Sequence, residues 1–198
     1  MTRLRASDGW AVETVSLSDA TDLVRQFHYS KSAANTATYR HGLIDPSGDL
    51  VGSVIWIPPT KNAAATVDDN WRAVLSCSRL VIHPDVPANG ASFLLGRSMS
   101  MIDRSRWATF VTYADTGQGH TGAVYKATNW FEIGPVPAGD TWRHSVTGEQ
   151  RGRKRGPRTM TKDEMLNAGY VRNPPMPKIK FAHWSKHSHK PTRKQKTR

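Results

Sequence analysis

Alternating apolar and polar residues mark the strands of this chain, and apolar residues three and four apart mark its helices. Trp10 to Val15 (WAVETV) reads as a first strand. Ser18 stands where it can cap a helix reaching about His28, with Ala20, Leu23, Val24 and Phe27 along one face. Tyr39 to Ile44 and Leu50 to Ile57 are two strands joined by the turn sequence DPSGD, hence a hairpin. Pro58-Pro59 ends the second strand, and TKNAAATVDDN reads as a polar loop. Val74 to His83 (VLSCSRLVIH) is a further strand closed by Pro84. The loop PDVPANG leads into a helix from about Ala91 to Arg104, with Phe93, Leu94, Leu95, Met101 and Ile102 as its buried stripe. Thr109 to Ala114 (TFVTYA) is a buried strand, followed after DTGQG by a helix at about His120 to Thr128 and a strand at Trp130 to Ile133. A short helix near Lys162 to Ala168 and a last strand near Lys178 to Trp184 complete the pattern, which has no internal repeat.

Strands followed by helices call for parallel crossovers, and the hairpin calls for an antiparallel start. A mixed α/β sheet with helices on both faces satisfies both demands. This order of elements resembles that of the GNAT acyltransferase fold, which by itself says little about function.

Composition changes the picture in one respect. The 198 residues carry a net charge of +12, and the excess is not spread evenly. Residues 1–150 hold 13 Lys/Arg against 14 Asp/Glu, whereas residues 151–198 hold 15 against 2. Charge at that density calls for a polyanion. Two clusters, RGRKRGPR and KPTRKQKTR, flank PKIKFAHWSKHSHK, where aromatic residues interleave with cations. Arg151, Arg153, Lys154, Arg155, Arg158, Lys178 and Lys180 are the expected phosphate contacts, and Trp184 offers a face for a stacked base. The alternatives are a basic solubility tail and a charged membrane-surface segment, the latter disfavoured because no amphipathic helix follows. The expected organisation is a catalytic core over 1–150, a basic segment over 151–185 that completes the sheet and meets DNA, and a basic flexible tail over 186–198.

No apolar run approaches the ~20 residues that span a bilayer. The start, MTRLRASDGW, has no secretory pattern, and the single cysteine, Cys77, excludes a disulfide framework within the chain. A cytoplasmic protein without a membrane partner is expected.

The densest chemistry lies in YADTGQGHTGAVYKATNW, Tyr113 to Trp130. A buried strand delivers Asp115 at its C-terminal end, where open α/β sheets bind ligands. Gly117, Gly119 and Gly122 allow close backbone approach, Gln118 and His120 add polar groups, and Tyr125 follows on the next helix. Asp115 as a helix cap with Tyr125 packed on the sheet is the competing reading. His28 and Tyr29 close the first helix, either as a cap or as acid–base and stacking groups. Alternation sets Cys77, Arg79 and Val81 on one strand face, and a buried Arg79 needs a carboxylate, for which Asp115 is the candidate. Asn89 and Ser92, at the start of the second long helix, stand where free N–H groups can bind a phosphate.

Several chemistries are disfavoured. The chain contains no Walker pattern, no HExxH and no HxE with PCxxC, which argues against NTPases, zinc proteases and zinc deaminases. The acyl-CoA signature usual for the GNAT fold, R/Q-x-x-G-x-G/A, is replaced by NGASFLLG. His28, Asp115 and His120 are either a two-His, one-carboxylate iron site or hydrogen-bonded polar groups.

Together His28-Tyr29, Ser78-Arg79-Leu80, Asn89-x-x-Ser92 and the Tyr113 to Trp130 block resemble the phage Mom DNA-modification family. The resemblance spans about His28 to Gly134 and, more loosely, the basic segment. It implies a GNAT-like fold and conversion of adenine in double-stranded DNA to N6-carbamoylmethyladenine, which protects the DNA from restriction. It also implies catalytic roles for His28, Tyr29, Arg79, Asp115 and Tyr125, and brings in iron as a candidate metal. Asn89, Ser92, Gly119 and His120 are the expected binding residues for the small-molecule donor. That donor is unassigned, an acyl-CoA-like molecule being one candidate. A conventional GNAT N-acetyltransferase acting on a small amine or a protein is the alternative, and a non-enzymatic DNA-binding protein a third reading.

Overall fold

The hairpin marked by DPSGD is the seed of a seven-stranded sheet, seen in a computed structural model that describes residues 3–137, 140–174 and 176–191. The first half of the chain lays down β1 (Ala11–Thr14), α1 (Leu17–Phe27), β2 (Tyr39–Ile44), β3 (Leu50–Ile57), α2 (Lys61–Ala65) and β4 (Val74–Ile82). Then come α3 (Gly90–Ser100), β5 (Thr109–Asp115), α4 (Ala123–Ala127) and β6 (Phe131–Val136). The basic segment supplies β7 (Trp142–His144), β8 (Gln150–Arg151), β9 (Lys154–Arg155), β10 (Arg158–Thr159), α5 (Lys162–Asn167), β11 (Tyr170–Arg172) and β12 (Lys178–Trp184). The large sheet has the order β1-β2-β3-β4-β5-β12-β6. Its ladders are antiparallel except β4 with β5, the parallel step that the intervening helix demanded.

β12 does not extend an edge. It inserts between β5 and β6, antiparallel to both, so the basic segment contributes a central strand to the sheet. Two smaller sheets, β11-β7-β8 and β10-β9, follow from strands of two or three residues, too short to leave a periodic signal. Within the stretch expected as a tail from residue 186, the His189 backbone accepts from the Asp69 N–H and donates to the Asp68 carboxylate. Residues 192–198 lie outside the described residues.

Helices cover both faces. α1 packs Ala20, Leu23 and Val24 on Ile55 and Val81, while α3 sets Leu94, Leu95 and Met99 against Trp56, Leu75 and Phe110. Four local readings need correction. Ser16, rather than Ser18, caps α1 by accepting from the Asp19 N–H at 3.1 Å. The expected loop after Pro59 contains α2, capped by Thr60. Helix α3 ends at Ser100, which releases Met101 from the buried stripe to 44% exposure. The helix expected from His120 begins only at Ala123, because Gly119 and Gly122 take positive φ values of 72° and 79°. Gly122 is also pinned by packing, since a Cβ there would lie 2.2 Å from the Phe181 ring.

The core holds one buried polar triad. Ser98 Oγ accepts from the Trp56 indole N–H at 2.8 Å and lies 2.6 Å from His41 Nδ1. Burial lowers the His41 pKa, so a neutral ring accepting the Ser98 proton satisfies all three groups. Among the described residues no helix is long and apolar enough to cross a membrane. Ser98→Ala leaves the Trp56 N–H and His41 without partners and should cost about 1–3 kcal/mol, read as a lower urea midpoint with an unchanged m-value.

Candidate active site

The parallel ladder between β4 and β5 holds only from Val74↔Thr109 to Ser76↔Val111. One extra residue in β4, Ser78, then shifts its register against β3, so that Trp56 faces Cys77 while Ile55 faces Arg79. β5 stays paired with β12 as far as Lys178↔Asp115. The strands therefore part, and Thr112 Oγ1 takes the Cys77 carbonyl that the ladder abandons, at 3.0 Å. The gap is a cleft of about 390 Å³. His28, Tyr29, Arg79, His120 and Tyr125 line it, so the structure brings most of the sequence-derived site together.

The bulge also overturns one expectation. Cys77 lies on the α3 face of the sheet with Leu75, whereas Val81, beyond Ser78, lies on the α1 face. Arg79 shares that second face and turns toward the segment after α1: Nε donates to the Ser32 carbonyl at 2.6 Å and Nη1 to Ser78 O at 2.7 Å. Among the described residues it has no carboxylate partner, so the expected Arg79–Asp115 pair does not form. Its charge remains uncompensated at the cleft wall.

Asp115 finds other partners. Oδ2 accepts from the Tyr29 hydroxyl at 3.3 Å and pairs with Lys178 Nζ at 3.2 Å, and Oδ1 accepts from the Gly117 N–H at 3.1 Å. It thus caps a short 3-10 turn, Thr116–Gln118, as the competing reading foresaw, while its second oxygen is bonded to Tyr29 in the cleft wall. Tyr29 stacks on His28 with ring centroids 4.3 Å apart and meets His120 edge-on. Burial, followed by the Asp115 charge, pushes its hydroxyl up to about 12, so it stays a proton donor. His28 is lowered to about 4, first by burial and then by the Arg79 charge. Its Nδ1 accepts from the Ser30 N–H at 3.1 Å, which assigns the neutral ring's proton to Nε2. The first-helix histidine is therefore a donor toward its surroundings rather than a base.

Tyr125 packs against Trp130 and Phe181 and is raised by burial, so its role as cleft wall and its role as packing residue coincide. Gly119 lines the same cleft, but Asn89 and Ser92 do not. They border a neighbouring cavity of about 370 Å³ on the far side of Ala123 and Val124. The Asn89 amide is spent on Leu4, accepting from its N–H at 2.9 Å and donating to its carbonyl at 3.1 Å.

The expected phosphate contacts divide. Lys180 is inside the fold, its ammonium 2.7 Å from Thr66 Oγ1 and the residue only 7% exposed, which corrects its assignment to DNA. Trp184 donates to the Val67 carbonyl and packs on Val67, Val111 and Ala182 as a half-buried residue, rather than presenting a free face. Lys178 belongs to Asp115. Arg151, Arg153 and Arg158 are paired with Glu149, Asp140 and Glu164. Lys154 is exposed, and Arg155 reaches the carbonyls of Gly152 and Lys154. Sequence reasoning missed Lys178 as the partner of Asp115, and Ser30 and Ser32 as anchors of His28 and Arg79. The register of β12 on β5 would have found the first; the others are contacts to a loop with no pattern.

The model of the Mom protein family matches residues 9–189. The chain belongs to that family. A Mom relative named methylcarbamoylase mom, from Escherichia phage Mu, is 27% identical over 159 residues, covering 73% of this chain. The chain covers 65% of that relative's length, just under two thirds. Among solved structures, YncA of Salmonella typhimurium, determined with its cofactor acetyl-CoA, superposes with a TM-score of 0.56 at 8% identity, covering 92% of this chain and 98% of its own. Spermidine N-acetyltransferase of Vibrio cholerae, with CoA and spermine, gives 0.51 at 10% identity over 90% of this chain and 96% of its own. The expected fold stands: this Mom chain has the fold of the GNAT acetyltransferases.

The residues present bear on the two groups that the resemblance brings in, iron and an acyl-CoA. Among the described residues no three His, Cys, Asp or Glu side chains are placed to share a metal ion. His28, Asp115 and His120 form no such group, so this set does not fit iron as arranged. For acyl-CoA, Asn89 holds Leu4, and Gly90 exists for packing, since a Cβ there would meet Val86 at 2.4 Å. The Asn89 side chain is therefore unavailable to an acyl-CoA.

His28 generates a prediction. Free histidine titrates near 6.5, and the folded value of about 4 means that between the two the unfolded chain holds a proton the folded one lacks. Its contribution is full above about pH 6.5 and is lost as the pH falls toward 4, at up to ~1.4 kcal/mol per unit. Urea midpoints of wild type and His28→Asn should converge as the pH drops through that window.

Proposed function

We propose that this chain is a transferase that converts the exocyclic amine of adenine in double-stranded DNA to the N6-carbamoylmethyl form, shielding the DNA from restriction. Membership of the Mom family and the name of the phage Mu relative support the reaction class. The single observation that carries the reading is the Asp115 carboxylate at the end of the parted strands, held between Tyr29 and Lys178.

The residues divide the work as follows. The basic segment meets the duplex through phosphates, with Lys154 and Arg155 at the β9–β10 hairpin, and binding weakens with salt. The target adenine leaves the stack, at a cost of a few kcal/mol. Its N6 then forms a bond to the methylene carbon of a donor that carries a carbamoylmethyl group and a leaving group. The leaving group departs with the bonding electron pair, and one N6 proton passes to an Asp115 oxygen. Lys178 supplies a counter-charge beside that oxygen, and Tyr29, protonated, orients it. Arg79, fixed by two carbonyls, presents its positive charge to the donor's carbonyl oxygen.

The test is mass spectrometry of nucleosides from plasmid DNA of cells expressing the chain. Wild type should yield an adenosine heavier by one carbamoylmethyl group less a hydrogen. Asp115→Asn should fold normally, bind DNA and lose the product by a factor of ~10²–10⁴. Undiminished product from folded Asp115→Asn would remove Asp115 from its role.

A further inference from the structure

Transfer between two substrates needs two seats meeting at one catalytic group, and Asp115 lines one cavity and is bonded to the wall of another. The larger cleft, between β4 and β5, contains Tyr29. A second cavity of about 230 Å³ lies on the other side, between the Thr116–Gln118 turn and the three-stranded sheet, and it contains Asp115, Gly117 and Lys178. The carboxylate is bonded to residues of both: Tyr29 in the first, Lys178 and the Gly117 N–H in the second. The small sheet that walls this cavity is docked on the loop after α1, with the Gln150 N–H donating to Ser30 O and Ser32 Oγ to Gln150 O.

The wall chemistry is distinctive. Three amide side chains, Gln118, Gln150 and Asn173, line the cavity. Among the described residues the amides of Gln118 and Gln150 make no hydrogen bond. Asn173 Nδ2 donates to Thr141 Oγ1 at 3.3 Å, which orients the amide and leaves Oδ1 and a second N–H available. Pro174 and Met176 add apolar surface, Met176 being 45% exposed.

We propose that this second cavity seats the extruded adenine, and that Asn173 reads it. An amide matches the adjacent N6 donor and ring-nitrogen acceptor of adenine in one planar, two-bond contact. Asn173 Oδ1 accepts one N6 hydrogen, its free N–H donates to the neighbouring ring nitrogen, and the other N6 hydrogen is left for Asp115. Guanine places its O6 acceptor there, and cytosine has no ring nitrogen corresponding to adenine N7, so a contact to N7 excludes both. Pro174 and Met176 supply the apolar surface against the base. This assignment rests on the adenine reading above and names the residue that makes it selective.

The test separates the two. The chain binds duplexes in which one adenine, 7-deazaadenine or 1-deazaadenine faces an abasic site, so that extrusion is already cheap. Wild type should prefer adenine over one of the two analogues by about tenfold or more. Asn173→Ala, and the isosteric Asn173→Asp, which keeps the acceptor and loses the donor, should bind adenine and that analogue equally. Equal binding of all three duplexes by wild type, or an undiminished preference in both variants, would overturn the assignment. Nucleoside mass spectrometry on the same proteins judges the reaction independently. Base preference without modified product keeps the cavity and sinks the transferase reading. Product with a preference that ignores Asn173 does the reverse.

Discussion

One extra residue in β4 shapes the site. Ser78 has no partner on β3, and this bulge does three things at once. It bends β4 away from β5 where their short parallel ladder ends, which opens the cleft. It exchanges the two faces of the strand, so that Cys77 enters the α3 core while Arg79 reaches the α1 side. It also places the Ser78 carbonyl where Arg79 Nη1 can use it. An unbulged β4 would keep Arg79 on the Cys77 face, among the apolar groups of that core, at a cost no single hydrogen bond offsets. Opening the cleft leaves backbone groups without a ladder, and Thr112 shows how they are satisfied, by a side-chain hydroxyl bonded to the Cys77 carbonyl.

The resulting cleft is strongly polarised. Burial keeps His28 neutral, holds Tyr29 protonated and raises the Cys77 thiol to about 12, which leaves that sulfur inert despite its place in the wall. The fixed charges are then the Arg79 guanidinium on one side and the Asp115–Lys178 pair on the other. A proton released at the junction of the two cavities has Asp115 as its nearest acceptor, since the His28 Nδ1 lone pair is already taken by Ser30. The division of labour follows from desolvation more than from sequence identity: the same His-Tyr pair in water would titrate normally and compete for that proton.

Elements with strong local causes were legible in the sequence. Tyr39–Ile44, Leu50–Ile57 and Lys178–Trp184 stand at the expected residues, because alternation and punctuating turns act within a few positions. The GNAT order was legible for the same reason. The start of α4 was not: whether a glycine takes a positive φ is decided by what surrounds it, and at Gly122 that is the Phe181 ring on a distant strand. Face assignments failed at Ser78 because a bulge breaks the period without leaving a mark in composition. The nearness of His28, Tyr29, Arg79 and Tyr125 around one cleft, with Asp115 bonded to Tyr29, was legible, but the pairs they form were not. Asp115 was matched with Arg79 as a candidate partner, whereas Lys178, read as a phosphate contact, is its register partner on β12.

Reading charge from composition has the same weakness. A net of +13 over residues 151–198 suggested a uniform grip on DNA, yet the fold uses this segment in two ways. Lys180 and Trp184 sit on a central strand, and exchanging their internal partners for nucleic acid would dismantle the sheet. Arg153, Arg158 and Arg172 are held in ion pairs near the surface, Asp140 bridging the first and third. Exposed pairs of this kind contribute ~0–1 kcal/mol each. Their carboxylates therefore orient the arginines without committing them, and a phosphate can replace Glu164 or Asp140 at small cost. Asp140 ties Arg172 of β11 to Arg153, two residues beyond β8, whose Gln150 is bonded to the loop that carries Tyr29. On the proposed DNA reading, duplex contact at Arg153 or Arg172 would bear on the smaller cavity through Asp140, a residue that charge counting would score only as one of the few acids on a basic surface.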